Sequence, residues 1–150
     1  MPDAPGRGEP VNAESRIEQP ATRENLALFL EFIDAFSAAI DADTDTRYAL
    51  RIAVEEVCIN LINYGYAGRD PGPIAILAQR VPEGVALTIR DQARPFDPAS
   101  APPPDLTGSV ESRVPGGLGW YLVRQLMDKV EYAADPRAGN TLTLLKRAPA

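Results

Sequence analysis

The run Val54-Glu55-Glu56-Val57-Cys58-Ile59-Asn60-Leu61-Ile62-Asn63-Tyr64 is apolar enough to belong in a core, yet it carries a carboxylate and a carboxamide one helical turn apart. At ~100° per residue, Leu50, Val54, Val57, Leu61 and Tyr64 form one apolar stripe with Ala53 beside it, and Glu56 and Asn60 lie together along its edge. Glu55 points about 100° away, as a solvated carboxylate would. A fold that buries this helix therefore aims two polar groups at one partly dry spot, where an unpartnered group costs about 1 to 3 kcal/mol. A bound ligand can supply the missing partners. The later run Val114-Pro115-Gly116-Gly117-Leu118-Gly119-Trp120 points to phosphate on that ligand, because glycines opening a helix expose backbone N–H groups and the positive end of the helix dipole.

With 150 residues the chain reads as one domain, able to bury roughly two-thirds of its unfolded surface. A formal charge of −6 without a basic cluster excludes nucleic acid and anionic lipid as expected direct partners. Cys58 stands alone, so it reads as a small buried thiol in a reducing compartment. Met1–Glu9 lacks the apolar core of a signal peptide, and no stretch reaches the ~18 apolar residues of a membrane span. The expectation is a soluble, cytoplasmic protein. With no histidine, the chain alone can build no Ser-His-Asp triad, imidazole metal site or phosphohistidine relay.

Residues 1 to about 14, rich in Pro, Gly and charge, read as a flexible tail. A short edge strand is expected over Arg16–Gln19, stopped by Pro20, followed by a helix capped by Thr22 and carrying Leu26, Phe29, Leu30, Ile33 and Phe36 to about Ile40. Asp43 or Thr44 caps a second helix running to about Tyr64 and ended by Gly65, Gly68 and Pro71. Ile74–Val81 and Val85–Arg90 form a hairpin around Pro82-Glu83-Gly84. Asp91 to Pro115 holds six prolines and no clear period, an unusually long irregular connection. A third helix over Gly117–Met127 precedes strands at Lys129–Ala133 and Thr141–Lys146. The order α, α, ββ, loop, α, ββ predicts an α+β, two-layer α/β sandwich: one mixed, mostly antiparallel sheet with helices on a single face.

Four motifs in this order resemble the anti-sigma-factor serine/threonine kinases of the GHKL (histidine-kinase-like) ATPase superfamily. They are Glu56-Val-Cys-Ile-Asn60, Asp91-Gln92-Ala93-Arg94-Pro95-Phe96-Asp97, Gly116-Gly117-Leu118-Gly119 and Gly139-Asn140-Thr141. The resemblance covers about residues 16 to 147 and implies a histidine-kinase-like ATPase domain over 15–150, with an ATP lid at about 92–115. It implies that Asn60 coordinates the Mg²⁺ on the ATP phosphates, which suits a neutral oxygen ligand. The alternative is an amide satisfied by backbone. Glu56 is implied as the general base for an attacking hydroxyl, the alternative being a solvated helix carboxylate. Asp91 is implied to accept a hydrogen bond from the adenine amino group, though a strand-end aspartate also suits a turn. Gly116, Gly117, Leu118 and Gly119 would let backbone approach the phosphates, and Thr141 would reach the nucleotide from the last strand. A glycine turn without ligand and a threonine chosen only as a β-former are the plain alternatives.

The chain departs from the family at two positions. Tyr64 stands where the family has histidine, and Ala93 stands where it has glycine, so a methyl enters where close backbone approach or positive φ would exclude it. The reading is an ATP- and Mg²⁺-dependent protein serine/threonine kinase. By resemblance it phosphorylates a STAS-type anti-sigma-factor antagonist, sequesters a sigma factor and forms a homodimer. The rival is a non-catalytic ATP-binding regulatory module acting by partner sequestration, for which Tyr64 and Ala93 are the sequence support.

Overall fold

Alternating apolar residues in five short segments build the sheet of a computed structural model that describes residues 13–96 and 117–149. The elements are β1 (Glu14–Pro20), α1 (Leu26–Ala39), α2 (Thr44–Asn60), β2 (Pro73–Val81), β3 (Gly84–Asp91), α3 (Gly117–Leu126), β4 (Lys129–Asp135) and β5 (Gly139–Arg147). Sheet order is β1-β2-β3-β5-β4, and each neighbouring pair is antiparallel, so the described strands contain no parallel pair. Of the tail expected over residues 1–14, residues 1–12 lie outside the described residues and Glu14 already belongs to β1; the lid beyond residue 96 and Gly116 also lie outside the described residues.

The register places Ile76 opposite Ile89, Ile89 opposite Leu142, and Leu87 opposite Leu144. These side chains share one face with Ile74 and Ala78 and are buried under Phe29, Ile33 and Phe36 of α1, Leu50, Val54 and Val57 of α2, and Val123 of α3. Leu77, Thr88 and Thr143 alternate onto the other face and keep partial exposure. A two-layer sandwich with helices on one face is thus what the period-2 strands produce. Cys58 is buried in the helical layer, and burial pushes its thiol up to about 12, well above the 9.0 usual for cysteine. Among the described residues no helix is long and apolar enough to cross a membrane.

Two helix boundaries differ from the sequence expectation. Thr22 makes no side-chain cap; a short 3₁₀ turn, Arg23–Asn25, comes first, and Asn25 Nδ2 donates to Pro20 O at 2.9 Å. At the start of α2 Asp43 is the cap, accepting from Thr46 N at 3.3 Å. The far end of α2 does not run on to Tyr64 as α-helix: its ladder opens after Asn60 into a π turn, Leu61–Gly65, with Tyr66 N donating to Leu61 O at 3.1 Å. Tyr66 anchors this turn from outside the helix. Its buried hydroxyl donates to Pro73 O at 2.8 Å and accepts from Gln92 N at 2.7 Å, tying the turn to the start of β2 and the end of β3. Tyr64, expected on the apolar stripe, lies within this turn and is 48% exposed.

Tyr66→Phe deletes both bonds while keeping the ring. Urea unfolding is expected to give a loss of about 1 to 3 kcal/mol with an unchanged m value.

Candidate functional site

A cavity of about 250 Å³ lies between the π turn at the end of α2 and the end of the sheet. Val57, Asn60, Leu61, Tyr64 and Gly65 form its helical wall. Asp91, Asn140 and Leu142 come from the sheet, and Arg94, Pro95 and Phe96 from the segment after β3. Trp120 of α3 and Tyr132 of β4 complete it. Its walls are apolar and aromatic with a few converging polar groups, the usual make-up of a small-molecule site.

Asn60 sits where the α-ladder ends, and its Nδ2 is sealed from solvent without a hydrogen-bond partner, the sole such buried side-chain atom among the described residues. An amide presents a donor and an acceptor that exchange places on a half-turn, so a polar ligand on either side restores the missing bond. The polar group that the sequence places on this edge is thus unpaired in the fold.

Asp91, 7% exposed, ends β3 directly opposite Asn140 of β5. Its Oδ1 accepts from Ala93 N and from Asn140 Nδ2, both at 2.8 Å, while Asn140 Nδ2 also donates to Ala93 O at 2.9 Å. Burial raises the carboxyl above its ordinary 3.8, and the two donors work against that rise. Gly139 makes the pairing possible: its φ is +89°, and a Cβ there would lie 2.5 Å from Asp91 O. Ala93 fits without strain. Among the described non-glycine residues only Asp41 has positive φ, and the Ala93 methyl finds its room beside Gly65, where an added Cβ would stand 3.0 Å from it.

Glu56 does not line the cavity. Its carboxylate lies one turn before Asn60 in the contact between α2 and α3, where a Cβ on Gly119 would fall 2.1 Å from Glu56 Oε2. Burial raises this carboxyl above the ordinary 4.5, and the charge of Glu55 raises it further. Gly119 therefore makes room for the carboxylate, and Gly117 and Leu118 supply the first turn of α3. Thr141 is not in the cavity. Strand alternation puts Asn140 and Leu142 on the helical face and turns Thr141 to the other, opposite Arg90 and Ala133, which is why it does not line the cavity. Asn140, beside it, lines the cavity, and the buried Leu142 and Leu144 carried the signal for this face in the sequence as an i, i+2, i+4 series.

The aromatic wall also went unread in the sequence. Phe96 and Trp120 are tilted against each other at 34° with centroids 6.1 Å apart, and Phe96 N donates to Tyr132 Oη at 2.9 Å. Arg94 N donates to Gly65 O at 3.1 Å, so the segment after β3 is fastened to both the π turn and β4.

Residues 19–146 match the family model described as the histidine kinase-like ATPase domain. The chain is 27% identical over 134 residues to an anti-sigma F factor of Halalkalibacterium halodurans, covering 89% of this chain and 91% of that protein. It is 30% identical over 131 residues to a serine-protein kinase RsbW of Bacillus cereus, covering 85% of this chain and 80% of the relative. In fold it is similar to a crystal structure of the RsbU and RsbW domains of Rv1364c from Mycobacterium tuberculosis, with a TM-score of 0.63 and 19% identity over 92% of this chain. It spans 34%, about a third, of that larger chain.

Gly119→Ala should displace the flexible end of Glu56 rather than unfold the protein. The melting temperature is expected to hold or rise, since alanine is about 1 kcal/mol the better helix former. In carboxyl-carbon NMR the Glu56 titration should fall toward its ordinary value as the group swings into water.

Proposed function

The chain belongs to the histidine kinase-like ATPase domain family, and from that premise we propose that it is an ATP-dependent protein serine/threonine kinase acting as an anti-sigma factor. The observation that carries the site assignment is the cavity that joins the buried Asp91 carboxylate to the unpartnered Asn60 amide. In this reading Asp91 accepts from the amino group of adenine, and the aromatic and apolar walls cover the ring. Gly117, Leu118 and Gly119 open α3 toward the phosphates, so backbone N–H groups and the helix dipole favour their negative charge. Gly116 joins them by its place in the motif.

Asn60 fits Mg²⁺ through its amide oxygen, a single neutral ligand of the kind that leaves the remaining positions to phosphate oxygens and water. When bound there, Mg²⁺ supplies neutralisation of phosphate charge. Glu56 acts as general base: a serine or threonine hydroxyl of the substrate attacks the γ-phosphorus, the bond to the bridging oxygen breaks, ADP leaves, and the hydroxyl proton passes to the Glu56 carboxylate. Burial serves this role, because a carboxyl held above its ordinary value is the stronger base once ionised. The unstrained backbone of Ala93 and its room beside Gly65 support the catalytic reading over a non-catalytic module.

The substrate in this reading is an anti-sigma-factor antagonist of the STAS type, and the sequestered partner is a sigma factor. The protein acts in the cytoplasm as a homodimer. The relatives' names as anti-sigma F factor and serine-protein kinase support the kinase and the sigma-factor partner. A net charge of −6 supports the absence of direct DNA contact.

Incubation with radiolabelled ATP, Mg²⁺ and a STAS-type antagonist is expected to label the antagonist, and Glu56→Gln to lower the rate by about 10² to 10⁴. ATP binding, followed through Trp120, the single tryptophan in the chain and a wall of the cavity, should survive that substitution. Equal transfer by Glu56→Gln would remove the catalytic assignment. Since the base must be ionised, transfer should fall as pH drops through a midpoint above 4.5, and this acid limb should vanish in Glu56→Gln.

A further inference from the structure

The face of α2 opposite the core carries a second apolar row. At ~100° per residue, Tyr48, Ile52, Glu55 and Ile59 fall within an arc of about 60°, turned away from the buried Leu50, Val54 and Val57. Tyr48 is exposed, and Ile52 and Ile59 are half-buried yet neither belong to the core nor pack against it. Glu55, also half-buried, enters no ion pair among the described residues, and Arg51, one turn before it, is committed to Asp34 of α1. Apolar side chains scattered singly over a surface are ordinary. Three aligned around a carboxylate form a patch of the kind that marks an interaction site.

Glu56 borders this row. It lies about 40° round the helix from Ile52, its i−4 neighbour, and about 60° from Ile59, its i+3 neighbour; such neighbours stand about 5 to 6 Å apart between Cβ atoms. Its carboxylate is outside the cavity, in the α2–α3 contact, so a protein hydroxyl reaches it from the outer surface of the helical layer. A hydroxyl within about 3 Å of that carboxylate brings the main chain on either side of it over Ile52, Glu55 and Ile59.

We propose that this outer face of α2 is the docking surface for the protein substrate. It takes a segment that carries, beside the phosphoacceptor hydroxyl, an apolar side chain for Ile52 and Ile59 and a lysine or arginine for Glu55. A second copy of this chain does not suit the face, because a two-fold interface sets one patch against itself and would bring Glu55 and Glu56 onto their own symmetry mates. The inference rests on the reading of Glu56 as general base and deepens it, naming what the substrate presents around its hydroxyl.

Steady-state transfer by the full chain with Mg²⁺, saturating ATP and increasing concentrations of a STAS-type antagonist tests this. The double variant Ile52→Gln/Ile59→Gln is expected to raise KM for the antagonist at least about tenfold while kcat stays within about threefold. ATP binding followed through Trp120 should stay within about twofold. Both isoleucines stand outside the core, so the melting temperature should hold. Glu55→Lys should raise KM by a similar factor at low salt, and the difference should shrink at about 1 M salt, where charges are screened within about 3 Å. An unchanged KM in either variant overturns the docking surface while the base assignment stands. A parallel loss of ATP binding overturns it too, since the face would then only support the nucleotide site. Dissociation of a dimer in sedimentation with KM unchanged assigns the face to a second copy and likewise overturns it. Equal transfer by Glu56→Gln overturns instead the reading of Glu56 as the base.

Discussion

A buried carboxylate held by an amide across two strands sets the geometry of the functional end of this protein. Asp91 and Asn140 are register partners on β3 and β5, and the bonds through Asn140 Nδ2 and Ala93 close the end of the sheet. Placing a carboxylate at 7% exposure raises its pKa and costs stability at neutral pH, which the fold offsets with two donors on one oxygen. The other oxygen is left to the cavity. The same arrangement that makes Asp91 tolerable therefore also makes it available.

Opposite that floor, the helix carrying Asn60 changes pitch at the point of use. A π turn immediately after Asn60 lets the chain leave α2, brings Gly65 beside Ala93, and hands the backbone to Tyr66, whose hydroxyl bonds to β2 and to the residue after β3. These contacts hold the helix end and the sheet end at a set separation, which preserves a cavity instead of a filled core. Glu56 lies one turn earlier against Gly119, so the candidate base is housed in the α2–α3 contact and the candidate metal ligand in the cavity wall.

Much of this was legible in the sequence because it is periodic. The stripe of Leu50, Val54 and Val57 predicted which face of α2 is buried, and the Pro82-Glu83-Gly84 turn predicted a hairpin that the register bears out. The phase of Glu56 and Asn60 on one helix edge also followed from spacing alone. Where the reading failed, a local signal met a distant partner. Thr22 resembles a cap, yet Asn25 reaches back to Pro20 and a 3₁₀ turn intervenes. Thr141 carries the motif, yet strand alternation places it on the face away from the cavity and Asn140 in the lining.

By itself the sequence determined the five strands, the three helices, the buried faces of α1 and α2 and the presence of two polar groups where a core was expected, since all of these depend on neighbours within one or two turns. Only the tertiary structure decided that Asn140 meets Asp91, that Gly119 makes room for Glu56, that Ala93 fits beside Gly65, and that Phe96, Trp120 and Tyr132 converge on one wall. Those pairings join residues 12 to 63 positions apart in the chain. Their distances depend on register and helix packing, which no local spacing fixes.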